Sequence, residues 1–234
     1  MDDVRAAFFT ALGLLIGLDR DLVAIVRLSL TVSLSAVGLA TLLGLPLGAA
    51  VAVWQFPGRT LVRILLNALM GLPPVVVGLV VYLLLSRAGP LGALGLLFTP
   101  TAMVTAQCLL VTPIIAAFTR QIVADLHEEY AEQLHSLGVG PWHVLWTLLW
   151  DGRFSLLTGL LAGFGRASAE VGAVLIVGGN IHRVTRVVTT TIALETSKGN
   201  LPLALALGMI LMLLVLAVNA TAMVIQDTAR RLYG

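Results

Sequence analysis

Few residues of this 234-residue chain have types suited to chemistry, and their spacing limits what they could do. His127-Glu128 opens like a zinc-hydrolase helix, but that motif needs a second histidine one turn later, where Ala131 stands. His127, His135 and His143 recur every eight residues, a step that drifts by about 80° on a helix, and Pro141 interrupts them. They read as surface histidines, and no metal site is expected. The phosphate-cradling pattern G-x-x-x-x-G-K-[ST] is absent, so ATP chemistry would have to come from another subunit. No nucleophile stands near a plausible base, so neither a catalytic residue nor a cofactor is expected. Cys108 is the single cysteine, which excludes a disulfide framework or a four-thiolate metal site within one chain.

The elements that must position these residues are membrane-spanning. Hydrophobic residues make up 59% of the chain and charged ones 11%, and the mean hydropathy is +1.01. Soluble domains average roughly 45–50% and about 25%. A formal net charge of +2 without any basic run excludes nucleic acid as a partner. At about 20 apolar residues per span, five runs qualify: Leu28 to Trp54, Leu61 to Leu85, Leu94 to Phe118, Phe154 to Val177 and Leu201 to Ile225. The amino terminus, Met1-Asp2-Asp3, is acidic where a signal peptide is basic, and it reads as uncleaved. Its apolar run, Ala6 to Leu18, reaches only about 20 Å, so an interfacial or re-entrant helix is expected in place of a sixth span.

Inside the fourth run, Arg166 and Glu170 would each cost about 2.5–3.5 kcal/mol facing lipid, so both should face protein or water. Their spacing of four places them on one helical face. They could serve a transport path, or form an internal ion pair that locks two helices together. Small residues form ridges, Gly44 and Gly48 on the first span and Gly159, Gly163 and Ala167 on the fourth. Such ridges suit close helix contact within one chain or between two copies. Pro73-Pro74 removes two backbone donors mid-span and Pro113 removes one, which either shapes the bundle or frees carbonyls toward a substrate path. After the fourth span, Arg183, Arg186 and Lys198 accompany Thr189-Thr190-Thr191, an arrangement that fits either a dianion or an ordinary solvated loop.

The one long polar interval is 121–152. Ile122, Leu126, Tyr130, Leu134 and Leu137 recur at spacings of three and four among acidic residues, as in an amphipathic helix. Gly138-Val139-Gly140 breaks the pattern, and Pro141 is suited to start a second short helix. Between Arg120 and Arg153 there are five acids and no Lys or Arg. Helices that lie on lipid usually carry basic residues on their polar face, so a protein groove with basic residues fits this acidic interval better.

Glu132-Gln133-Leu134-His135-Ser136-Leu137-Gly138 resembles the E-A-A-x-x-L-G loop by which permease subunits of ABC importers dock their ATPases. Gln133 and Leu134 replace the two alanines, and Trp150-Asp151 stands where the usual hydrophobic-proline ending would fall. Arg166-Ala167-Ser168-Ala169-Glu170-Val171-Gly172-Ala173 and Gly178-Gly179-Asn180-Ile181 look like the E-x-G-A and G-N-I signatures of oxyanion importer permeases, the molybdate, sulfate and tungstate group. Gly71-Leu72-Pro73-Pro74-Val75-Val76-Val77-Gly78 is similar to another segment of that group. The stretch Val177-Gly178-Gly179-Asn180, with Thr189-Thr190-Thr191 and Ala193 to Gly199, is most like the tungstate permeases.

The resemblance implies an all-α polytopic permease domain over 1–234, with five transmembrane helices, an amino-terminal interfacial helix and a cytoplasmic coupling loop at 121–152. It further implies a homodimer in a prokaryotic inner membrane, in contact with lipid. Separate cytoplasmic ATPase subunits and an extracytoplasmic binding protein would be its partners. Docking would fall to Glu132, Leu137, Gly138 and Pro141; the path or gate would include Pro73, Pro74, Arg166, Glu170 and Asn180. Lys and Arg divide six inside against seven outside and do not set the orientation. The docking loop does, placing the amino terminus outside and the carboxy terminus in the cytoplasm. Molybdate or sulfate import and a passive anion channel are the alternatives to tungstate import.

Overall fold

The computed structural model describes residues 2–17 and 19–233, so Met1 and Leu18, which bound the predicted acidic start and first apolar run, lie outside the described residues. Among the described residues the chain is helical without strands. Its helices are α1 (Asp2–Ile16), α2 (Arg20–Val53), α3 (Arg59–Met70), α4 (Pro74–Leu85), α5 (Pro100–Glu129), α6 (Ala131–Ser136), α7 (Pro141–Asp151), α8 (Arg153–Ser168), α9 (Gly172–Gly178), α10 (Val188–Ser197) and α11 (Leu201–Tyr233). Three of them, α2, α5 and α11, are long and apolar enough to cross a membrane, and the broken pairs α3–α4 and α8–α9 raise the number to five if each pair is one span. Every predicted apolar run therefore corresponds to one of these elements.

Proline chemistry explains two of the boundaries. Gly71 closes α3 with its N–H on the Ala68 carbonyl, and Pro73-Pro74, lacking amide hydrogens, prevents the helix from continuing. Pro74 then opens α4, where a missing N–H costs nothing. Pro113 makes no break, because α5 runs through it, with the neighbouring Thr112 hydroxyl donating to the Cys108 carbonyl at 2.7 Å. The amphipathic helix expected from residue 122 is likewise not separate. Its first two turns are the end of α5, which continues to Glu129.

The chain divides into two compact units. One comprises Ala36–Pro73 and Cys108–Ala167. Its core holds Ala49, Ala52, Val123, Leu145, Leu148 and Leu156. The small-residue ridges are spent here on α5. A Cβ on Gly48 would fall 2.4 Å from the Ala116 carbonyl, one on Gly44 2.9 Å from Ile115, and one on Gly163 3.0 Å from Val111. Close backbone packing within one chain thus accounts for both ridges. Arg59 closes the end of α2 by donating to the Val51 and Ala52 carbonyls, which have no partner within the helix.

The other unit comprises Met1–Ser35, Pro74–Gln107 and Ser168–Gly234. Here α1, about 22 Å long, packs on α11, with Ala11 buried beside Ala206, Leu207 and Ile210. α4 lies against α9 so closely that a Cβ on Gly78 would meet the Ala173 Cα at 2.7 Å.

Candidate functional site

The polar elbow in the first of these units carries the predicted docking residues. α5 ends at a turn on Tyr130, and α6 supplies one and a half turns before the chain reverses. Leu126, Tyr130, Leu134 and Val139 pack on the core beneath, which anchors the elbow from within. Tyr130 also lies near Asp151. The nearby Asp151 and Glu129 charges, with Asp151 the larger cause, push the phenol above its usual pKa, because a phenolate there would face two carboxylates.

With its inner residues held, the elbow presents its tip outward. Glu132 is exposed in the first turn of α6, and Leu137, at the end of that helix, is 74% exposed. Gly138 follows with φ 60° and open space where a side chain would be, so backbone conformation alone calls for glycine. Pro141 occupies the first turn of α7 and is exposed. The four predicted docking residues thus lie along one short, outward-facing stretch.

The predicted path residues are more scattered. Pro73 lies in the α3–α4 break and Pro74 begins α4. Arg166 is in the last turn of α8, which ends at Ser168, so the expectation that Arg166 and Glu170 share a helical face is overturned. Glu170 sits in the break before α9 and is only 3% exposed. Its Oε1 accepts the Ala173 amide at 3.0 Å, and its main-chain carbonyl accepts the Thr189 hydroxyl at 2.9 Å. The carboxylate thereby satisfies an amide of the first turn of α9, and Thr189 holds the carbonyl that a continuous helix would have used.

Asn180 falls in a turn that its neighbours enforce. Gly179 has φ 69°, and a Cβ there would lie 2.8 Å from the Phe98 ring; Asn180 follows at φ 50°. The Thr185 hydroxyl donates to the Gly178 carbonyl and accepts the Ile181 amide. The Phe98 amide donates to the Val177 carbonyl at 3.0 Å. Of the loop groups offered to a dianion, the hydroxyls are already committed. Thr189 donates to Glu170, and Thr190 and Thr191 donate to the Val187 carbonyl, all three being buried. They are therefore neither solvated nor available to an anion. Lys198 is paired with Glu195 at 2.8 Å.

Arg183 and Arg186 contribute instead to a cleft of ≈ 680 Å³, where Arg20, Arg27 and His182 join them. The acid in this cleft is Asp21, which pairs with Arg183 at 3.1 Å and lies 3.8 Å from His182. Four arginines against one carboxylate among its lining residues give the cleft a positive potential that attracts anions. Sequence reading missed Arg20 and Arg27. Their spacing of seven, two helical turns, was the available signal.

A helical protein with up to five spans, an exposed elbow and a basic cleft is of the multi-pass membrane transport class. Residues 44–231 match the family described as binding-protein-dependent transport system inner membrane component, and the chain belongs to that family. It is 43% identical over 85% of its length to a probable anion ABC transporter permease protein of Haloferax volcanii, of which 88% is covered. It is 39% identical over 97% of its length to the whole of a tungstate uptake system permease protein of Peptoclostridium acidaminophilum. A sulfate transport system permease protein of Synechocystis is 31% identical over 86% of this chain and 74% of its own length. The chain is thus a permease subunit of an ABC importer and a multi-pass inner-membrane protein.

Proposed function

We propose that the chain is the permease of an ATP-driven importer for a tetrahedral oxyanion, with tungstate the best reading. It would work as a homodimer with two separate cytoplasmic ATPase subunits and an extracytoplasmic binding protein, the whole of 1–234 acting as one permease domain. The amino terminus is assigned to the outside and the carboxy terminus to the cytoplasm. The observation that carries the docking assignment is Leu137, 74% exposed beside a glycine turn whose inner residues are fixed to the core. A large aliphatic side chain held out this way fits a groove on a partner protein. Glu132 and the other acids of the interval suit a groove with basic rims. ATP-driven closure of the ATPase pair would move this elbow and, through α5 and α7, the spans.

Two features support an oxyanion as cargo, the basic cleft around Arg20, Arg27, Arg183 and Arg186 and the tungstate and sulfate permeases among the relatives. Tungstate and molybdate are nearly alike in size and charge, so discrimination is assigned to the binding protein. A molybdate or sulfate importer is the second reading, favoured by the sulfate relatives. Pro73, Pro74, Arg166, Glu170 and Asn180 remain the path and gate assignments.

The test is reconstitution with the ATPase and binding protein. Adding tungstate-loaded binding protein should stimulate ATP hydrolysis, and Gly138→Asp should abolish that stimulation while the protein still folds, because aspartate at φ 60° distorts the tip. Anion flux through the chain alone, without ATPase, would instead establish a passive channel.

A further inference from the structure

We propose that the tryptophan-bearing face of α7 lies in the interfacial layer of the bilayer and seats one phospholipid. In this arrangement the elbow is divided, its α6 half in water and its α7 half on lipid. The chain has four tryptophans, Trp54, Trp142, Trp146 and Trp150, and all four fall within the compact unit that carries the elbow. Three of them recur every fourth residue along α7 and are 61%, 61% and 70% exposed, and Trp54 meets Trp142 edge-on at 5.0 Å.

α7 has three sectors. Val144, Leu145, Leu148 and Leu149 form a buried aliphatic face. At about 100° per residue, His143, Thr147 and Asp151 form a polar strip, and the tryptophans fill the arc between the two. A helix bordered on one side by protein, on another by water and on the third by an amphipathic solvent carries this pattern. Indole, with an apolar ring and one N–H, is enriched where hydrocarbon meets headgroups. A water-facing helix would have no use for three exposed indoles.

Continuity with a span points to lipid over a protein partner. Only Gly152 separates α7 from α8, the first half of a candidate span, so the tryptophan row runs directly into the membrane-spanning part of the chain. Trp146 and Trp150 also line a groove of ≈ 360 Å³ whose other walls include Leu42 and Leu45 of α2 and Leu157 and Leu160 of α8. The groove is apolar along two spanning helices and is capped by one cation, Arg153, an arrangement that fits an acyl chain below a phosphate. Arg153 stacks on Trp150 at 4.9 Å and on Phe154 at 4.6 Å while donating one N–H to the Trp150 carbonyl. A guanidinium has five N–H donors, so this one bond leaves capacity for a phosphate oxygen.

Because no other tryptophan exists in the chain, its fluorescence reports on this band alone. The full chain in phosphatidylcholine vesicles containing lipid brominated near the top of its acyl chains should lose more than half of its emission, while aqueous iodide quenches little. A second measurement is lipid retention by native mass spectrometry of chain purified in mild detergent, with phosphatidylglycerol as the probe. One lipid per chain should be retained, and Arg153→Gln should weaken its affinity about tenfold, the equivalent of about 1.4 kcal/mol. Iodide quenching that exceeds bromine quenching would overturn the interfacial placement. So would protection from bromine on adding the ATPase or on dimerisation, which would assign the face to protein. Unchanged lipid retention in Arg153→Gln, with wild-type fluorescence still bromine-sensitive, would overturn the phospholipid site.

Discussion

Gly48 and Gly38 are both glycines within α2, yet their surroundings differ. A methyl group on Gly48 would overlap the Ala116 carbonyl at 2.4 Å and the Thr119 Cβ at 2.7 Å, whereas one on Gly38 would meet nothing within 4 Å. Gly48→Ala should therefore lower the thermal midpoint of the detergent-solubilised chain by the equivalent of about 1–3 kcal/mol. Gly38→Ala should leave it unchanged or raise it, since alanine favours the helix by about 1 kcal/mol. Thermal unfolding of both variants beside the wild type checks the contrast. The ridge containing Gly48 was legible in the sequence because four-residue spacing marks one helical face. Its partner α5 was not, since spacing says nothing about what lies opposite. The turn at Gly138 was legible for a related reason, since a glycine after an amphipathic repeat marks a break; the exposure of Leu137 was not, because the same repeat places it on the face where Leu126, Tyr130 and Leu134 pack on the core.

At the level of elements, continuous apolar runs reported their helices faithfully, and interruptions were readable only where the cause was local. The stop before Pro74 comes from the prolines themselves. The break after Ser168 is bound to a distant part of the chain, the Thr189 hydroxyl, 19 residues beyond Glu170, donating to the Glu170 carbonyl. No window on the fourth run contains that partner, so Arg166 and Glu170 read as neighbours on one helix. The end of α10 carries another such arrangement, with a pH dependence. Glu195 accepts from Lys198 at 2.8 Å and from the Asn200 amide at 3.2 Å. The Lys198 hydrogen bond is the leading cause that holds its carboxyl below the usual range. A carboxyl with a lowered folded pKa contributes stability above its unfolded pKa, about 4.3, and loses it as pH falls through the folded value. Amide exchange over 195–200, relative to the unfolded-chain rate, should therefore accelerate below about pH 4. Glu195→Gln should show faster exchange at neutral pH and little further change in acid.

For the molecule as a whole, the membrane class was legible from composition, because about 20 apolar residues per crossing is a demand of the bilayer itself, and the five apolar runs correspond to three long helices and two bent pairs. Orientation was not, since basic residues divide almost evenly between the two sets of loops. Cysteine labelling can decide it, because the sole native thiol, Cys108, is 9% exposed and gives a quiet background. A membrane-impermeant maleimide should label Ser136→Cys only in inside-out vesicles, and His182→Cys only from the outer face of right-side-out cells. The reverse pattern would contradict the assigned orientation and place the exposed elbow away from any ATPase.

α11 has a consequence for the choice of membrane. Its predominantly apolar stretch, Leu201 to Ile225, in which the Asn219 and Thr221 side chains bond back to the helix's own carbonyls, measures about 37 Å at 1.5 Å per residue, against a hydrocarbon thickness of about 30 Å. Hydrophobic mismatch of this sign is relieved by leaning the rod or by swelling the leaflets around it. Longer acyl tails accommodate this helix more easily than short ones.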